Sequence, residues 1–181
     1  YDGTGQLVLT GSLGDVMKES AKIALSYIKA NHRYFKIGYS LLNTRDIHIH
    51  VPEGAIPKDG PRAGITLTTA LISALTNTKV DKSIAMTGEM TLRGEILAIG
   101  GLKEKSIGAH RNGIKTILIP YDNLSDLDKV PEEVKKDIKF IPIKNYQEVM
   151  KIIKKYIGFS WCSGIISCNI IDVFWIIKIK K

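Results

Sequence analysis

The sequence predicts a mixed α/β domain, of the α/β or α+β kind, with a mixed sheet and packed helices. Three patterns carry that prediction. Asp46-Ile-His-Ile-His-Val51 alternates strictly, placing Ile47, Ile49 and Val51 on one face of a half-buried strand and His48 and His50 on the other. Residues 62–76 recur at helical spacing through Ile65, Leu67, Ala70, Leu71, Ala74 and Leu75. Short apolar runs at 83–87 and 115–119 read as buried strands, so strands and helices interleave along the chain.

Taken in order, Ser12-Leu-Gly-Asp15 reads as an N-cap with an acid in the first turn. It leads a helix to about Ala30 through Val16, Ile23, Ala24, Tyr27 and Ile28. The strand at 46–51 ends at Pro52-Glu-Gly54, and a Pro/Gly-rich loop runs to Pro61. After the helix over 62–76 come a polar Thr-Asn-Thr end and the strand at 83–87. Residues 89–93 and 95–99 form a hairpin about Arg93-Gly94. Gly100-Gly101 opens a helix that Gly113 closes at its C′ position. The strand at 115–119 stops at Pro120, a helix starts at Pro131, a strand follows at 139–143, and a last helix covers 146–157.

Composition sets the outer limits. At 181 residues, 44% hydrophobic and 24% charged, the chain is long enough for one domain with a real core and is not a disordered polymer. Of the net charge of +8, +2 falls on residues 158–181, where Lys178, Lys180 and Lys181 face Asp172. The other lysines are scattered among acids, which argues for solvated helix faces and against a dedicated nucleic-acid surface. Cys162 and Cys168 form no CxxC or Cys/His set, so neither a zinc site nor a disulfide framework is expected, and no metal is assigned. Tyr-Asp-Gly-Thr-Gly carries no signal region, and a cytoplasmic chain is the expectation. Asn123-Leu-Ser125 fits a glycosylation sequon, read as chance.

Two regions are expected: a domain at 1–157 and an atypical apolar, basic tail at 158–181. The tail has three readings. It is a stretch translated past a lost stop, a packing or oligomer-contact segment, or a membrane anchor. Asn169 and Asp172 inside the apolar run argue against the anchor.

The chemistry centres on Pro57-Lys-Asp-Gly-Pro-Arg-Ala-Gly64. A serine peptidase needs a hydroxyl, a base to take its proton and donors for the oxyanion. One solution uses a lysine held neutral by desolvation. The Gly60–Gly64 turn enters a helix whose first N–H groups could hold an anion. In Gly101-Leu-Lys-Glu-Lys105, Lys105 has Leu102, Ser106 and Ala109 beside it, and spacing prefers it only weakly to Lys103.

These segments resemble the C-terminal proteolytic domain of the Lon-type ATP-dependent proteases. The matching stretches are Leu9-Thr-Gly-Ser-Leu-Gly-Asp-Val-Met-Lys-Glu-Ser20, Asp46-Ile-His-Ile-His-Val-Pro-Glu-Gly-Ala55, Pro57-Lys-Asp-Gly-Pro61, Met86-Thr-Gly-Glu89 and Gly100-Gly-Leu-Lys-Glu-Lys105. His110-Arg111 and residues 117–120 continue the likeness, which spans roughly residues 3–157. The resemblance implies the Lon-type peptidase fold and a Ser-Lys pair. On it, Lys105 matches the general base, and Arg62 occupies the nucleophile position. Thr87 matches a threonine that bonds the lysine. Glu89, His48 and His50 match residues around the site, and Asp59 belongs to the loop before the nucleophile. It also implies a six-membered ring, unfolded or damaged proteins as substrates, and an ATPase module, in cis or in trans, that uses ATP and Mg.

Three departures qualify the likeness. Arg62 stands where the family has serine, and a guanidinium stays protonated and cannot accept an acyl group. An N-terminal strand of relatives is expected to be missing. No Gly-x-x-x-x-Gly-Lys-Ser/Thr loop is present, so the chain has no such route to ATP and no cofactor is assigned. The expectation is a peptidase domain inactive as written; the alternatives are a non-catalytic ring-assembly or peptide-binding module and a defective fragment. Ser26-Tyr-Ile-Lys29 fits a Ser-x-x-Lys pattern without companion motifs and reads as plain helix.

Overall fold

Three sheets and six α-helices make up the computed structural model, which describes residues 3–11, 13–51, 63–154, 165–170 and 173–179. The chain opens with strand β1, Leu7–Gly11, which pairs in parallel with β2, Ile47–Val51. Between them lie helices α1, Asp15–Ala30, and α2, Tyr39–Thr44. Helix α1 buries Met17, Ala21, Ala24, Leu25 and Ile28, the three- and four-residue spacing of a single helical stripe. That stripe packs against α3, Gly64–Thr76, whose residues Gly64–Ser73 are all buried. A helix covered on every side is a core element, and its Leu, Ile and Ala content fits that place.

A parallel sheet in the order β3-β6-β7 shares one apolar core with α1 and α3. Its strands are Ile84–Met86, Thr116–Pro120 and Lys139–Ile143, all in parallel pairs. Strand β6 is buried at every position. Leu118 faces the core shared with α1 and α3, whereas Ile117 and Ile119 face a second core against α4, Leu102–Arg111, and α5, Glu132–Asp137. This sheet is therefore covered on both faces, as parallel sheets with crossover helices are. Strands β4, Glu89–Met90, and β5, Ile96–Leu97, form a short antiparallel hairpin, and α6 spans Tyr146–Lys154.

Most expected elements are present, with shifts at their ends. Helix α1 is capped at Gly14 with no side-chain cap, and the expected cap Ser12 lies outside the described residues. Helix α3 begins at Gly64, and the end of the helix expected to reach 157 lies beyond the described Lys154. The hairpin is shorter than expected because Thr91 closes the turn, its Oγ1 accepting from Arg93 N–H at 3.3 Å and Glu95 N–H at 3.2 Å. Gly113 takes φ 72°, as a C′ residue past α4 should. Strand β1, helix α2 and a 3₁₀ stretch over Tyr121–Lys129 were not expected.

Within the tail, β8, Ile165–Ile170, and β9, Val173–Ile179, form an antiparallel hairpin. Strand β9 adds to β2 from Ile47↔Ile179 to His50↔Ile176, giving the sheet order β1-β2-β9-β8. These residues are extended, and no helix among the described residues is long and apolar enough to cross a membrane.

Candidate active site

Strand β3 ends at Met86, and Thr87 follows with its N–H donating to Leu118 O at 3.1 Å. That bond keeps Thr87 aligned with β6, and the residue is only 3% exposed. Helix α4 starts after Gly101 and turns Leu102, Ser106 and Ala109 inward. Lys105 sits at the edge of that buried face, half-buried, and its Nζ donates to Thr87 Oγ1 at 3.0 Å. Lys103 and Glu104 point to solvent. The fold thus separates two lysines that spacing barely distinguished: Lys105 is brought to a buried hydroxyl and Lys103 is not.

The start of α3 is fastened to the turn that carries Thr87. Gly88 O accepts Ile65 N–H at 3.3 Å, and Thr66 Oγ1 donates to Met86 O at 3.2 Å. Glu89 fills the corner. Its Oε2 accepts the Ser20 hydroxyl at 2.8 Å, with Val16 O a competing acceptor at 3.1 Å, and its Oε1 accepts Met90 N–H at 3.0 Å. A Cβ at Gly64 would meet the Glu89 carboxylate and come within 2.9 Å of the Met90 backbone nitrogen, which cannot swing aside, so glycine is required for this close approach. A carboxylate at a helix N-terminus is favourable by about 0.3–1 kcal/mol when exposed. One of the α3 N–H groups expected to be free, that of Ile65, is thus already engaged.

Of the remaining expected residues, Asp59 and Arg62 lie outside the described residues. Ala63, the residue after Arg62, is 5% exposed and caps α3, its carbonyl accepting Leu67 N–H at 2.8 Å. His48 and His50 stand on the other sheet, exposed, and both bond Thr10 Oγ1. Among the described residues no group of three or more His, Cys, Asp or Glu could hold a metal ion. Asn123 is 2% exposed; its Oδ1 accepts Ile99 N–H at 2.9 Å and its Nδ2 donates to Ile99 O at 2.7 Å. Its amide is a structural clamp rather than an accessible glycosylation acceptor. Ser20, Thr66 and Thr10 were not singled out from sequence. No local signal marks them, since each acts on a segment at least 20 residues away.

A family model described as the Lon protease C-terminal proteolytic domain matches residues 1–155. Curated relatives carry the name Lon protease. That of Mycoplasma mycoides subsp. mycoides is 60% identical over 155 residues, covering 86% of this chain and 20% of the relative. The Chloroflexus aggregans protein is 54% identical over 152 residues, covering 84% and 18%. The Metamycoplasma arthritidis protein is 60% identical over 149 residues, covering 82% and 18%. The chain therefore spans about a fifth of the length of these relatives.

Proposed function

The chain belongs to the family of the Lon protease C-terminal proteolytic domain, and we propose that it is a serine-endopeptidase domain of the Ser-Lys type, inactive as written because Arg62 occupies the nucleophile position. The observation that carries the site assignment is the Lys105 Nζ to Thr87 Oγ1 hydrogen bond of 3.0 Å, beside Gly88, whose carbonyl accepts the Ile65 N–H at the start of α3. In this reading, Thr87 accepts one N–H of Lys105 and fixes the amine's direction. In the neutral form, the amine's lone pair takes a proton from a hydroxyl at position 62. Glu89, bonded to Ser20, braces the beginning of α3, and the first-turn N–H groups other than that of Ile65 are assigned to the oxyanion. With Arg62 there is no hydroxyl to deprotonate and no acyl acceptor.

The wider assembly belongs to the same proposal: a homohexameric cytoplasmic ring, fed unfolded or damaged protein by an ATPase module joined in cis or in trans. The residues of this chain do not fit ATP through a phosphate-binding loop, because the sequence has no Gly-x-x-x-x-Gly-Lys-Ser/Thr segment. ATP and Mg chemistry is assigned to that module and no step here depends on it.

Peptide hydrolysis by three proteins tests the reading. The unaltered chain should show no Lys105-dependent cleavage of a casein-like or peptide substrate. Arg62→Ser should gain on the order of 10⁶ in kcat, the size of the loss on removing a serine nucleophile, and Arg62→Ser/Lys105→Ala should lose that gain. Cleavage by the unaltered chain that Lys105→Ala abolishes would sink the claim of inactivity. A folded Arg62→Ser protein that stays inactive would favour a non-catalytic module.

A further inference from the structure

Thr10 of β1 stands opposite His50 of β2, with Val8 opposite His48. Residues two apart on a strand share a face, so both imidazoles project from the exposed side of the sheet. His48 Nε2 lies 2.7 Å and His50 Nδ1 2.9 Å from the same atom, Thr10 Oγ1. The ring centroids are 6.4 Å apart and nearly perpendicular, at 79°. Two imidazole nitrogens thus converge on one point that is open to solvent.

A threonine hydroxyl has one proton and donates to only one of the two nitrogens; the other ring must donate its own N–H. One imidazole lone pair is therefore aimed at this point already, and a single tautomer exchange through solvent aims the second. We propose that His48 and His50, with Thr10 between them, form a surface site for a divalent late first-row transition-metal ion, for which zinc is the probe. Imidazole nitrogen suits Zn, Cu and Ni, whereas Mg and Ca require oxygen ligands. The Zn–N distance of about 2.0–2.1 Å is reached by rotating the two exposed rings. Water fills the remaining positions, and Thr10 Oγ1 bonds a metal-bound water or enters the coordination shell. Because Thr10 lies on β1 and the histidines on β2, a bound ion clips the two strands together.

The remaining histidines supply a built-in control. His32 Nδ1 is engaged with Ile37 O at 3.2 Å and His110 Nε2 with Asp137 Oδ2 at 2.7 Å, so neither belongs to a converging pair. Titration of the full 181-residue chain with zinc chloride in a calorimeter should give saturable binding near one ion per chain. His48→Ala/His50→Ala should abolish it, and His32→Ala/His110→Ala should leave it unchanged. Thr10→Val should weaken it about 10-fold, as loss of a supporting hydrogen bond around a metal does. A second measurement needs no variant: substoichiometric Cu(II) should broaden the imidazole C–H resonances of His48 and His50 before those of His32 and His110. Absence of saturable zinc binding, its loss in the His32/His110 double variant, or equal broadening of all four histidines would each overturn the proposal.

Discussion

Strands β6 and β2 show how differently two parts of this domain use a strand. In β6 every residue from Thr116 to Pro120 is buried, with Leu118 facing one core and Ile117 and Ile119 the other. In β2, Ile47 and Ile49 are 2% and 0% exposed, while His48 and His50 lie in solvent. The inner strand can only hold things in place: it positions Thr87 through Leu118 O and so sets where Lys105 meets a hydroxyl. The outer strand has a spare face on which polar groups gather. The buried strand lines up the Thr87–Lys105 contact, and the exposed strand carries imidazoles that the core does not use.

That contrast makes predictions that can break it. The largest concerns the inner sheet. Ile117→Ala, at a residue with no exposure, should lower unfolding free energy by about 2–5 kcal/mol. His48→Ala on the outer face should stay within about 0.5 kcal/mol. Comparable losses in urea melts of the two variants would erase the distinction. Next, Asn123→Ala should cost about 1–3 kcal/mol, because it strands the buried N–H and C=O of Ile99. Hydrogen exchange at Ile99 should accelerate with it. In an Arg62→Ser background, Thr87→Val should lower kcat about tenfold, equivalent to about 1.4 kcal/mol of barrier, by removing the hydroxyl that orients the Lys105 amine. An unchanged kcat would remove Thr87 from the site.

The smallest effect belongs to the outer sheet. Asp46 anchors the start of β1 by accepting Thr4 N–H at 2.9 Å and Gln6 N–H at 3.0 Å. Those backbone bonds, Gln6 first, hold its carboxyl below the usual carboxylate range. A lowered folded-state value means the stabilisation is complete above the unfolded value of about 3.9 and disappears as pH falls through the folded value. Acid titration of the denaturant midpoint should therefore show a small loss that Asp46→Asn flattens; an unaltered acid limb in the variant would remove Asp46 as a contributor.

Much of this architecture was legible along the chain. The alternation at 46–51, the helical spacing of α1 and α3, the unbroken apolar run of β6 and the glycine past α4 each signal their element through local periodicity or a φ demand. What escaped was short or lacked a period. Helix α2 has six residues, too few to display a stripe, and Leu7–Gly11 is only partly buried, so its sequence does not alternate. The segment at 158–181 had no period that chose among its readings; β9 owes its place to backbone pairing with β2 and β8 to pairing with β9, which any extended segment can supply.

The candidate site divides along the same line. By itself the sequence determined that Arg62 is not a hydroxyl, that Lys105 follows a Gly-Gly helix start, and that His48 and His50 share a strand face, because residue chemistry and periodicity are local properties. Only the tertiary structure decided which polar atoms meet. Lys105 finds Thr87 18 residues away, Thr10 finds His48 38 away, and Ser20 finds Glu89 69 away. Partners so far apart are chosen by how helices and sheets stack their apolar faces, and no stretch of neighbouring residues contains that information.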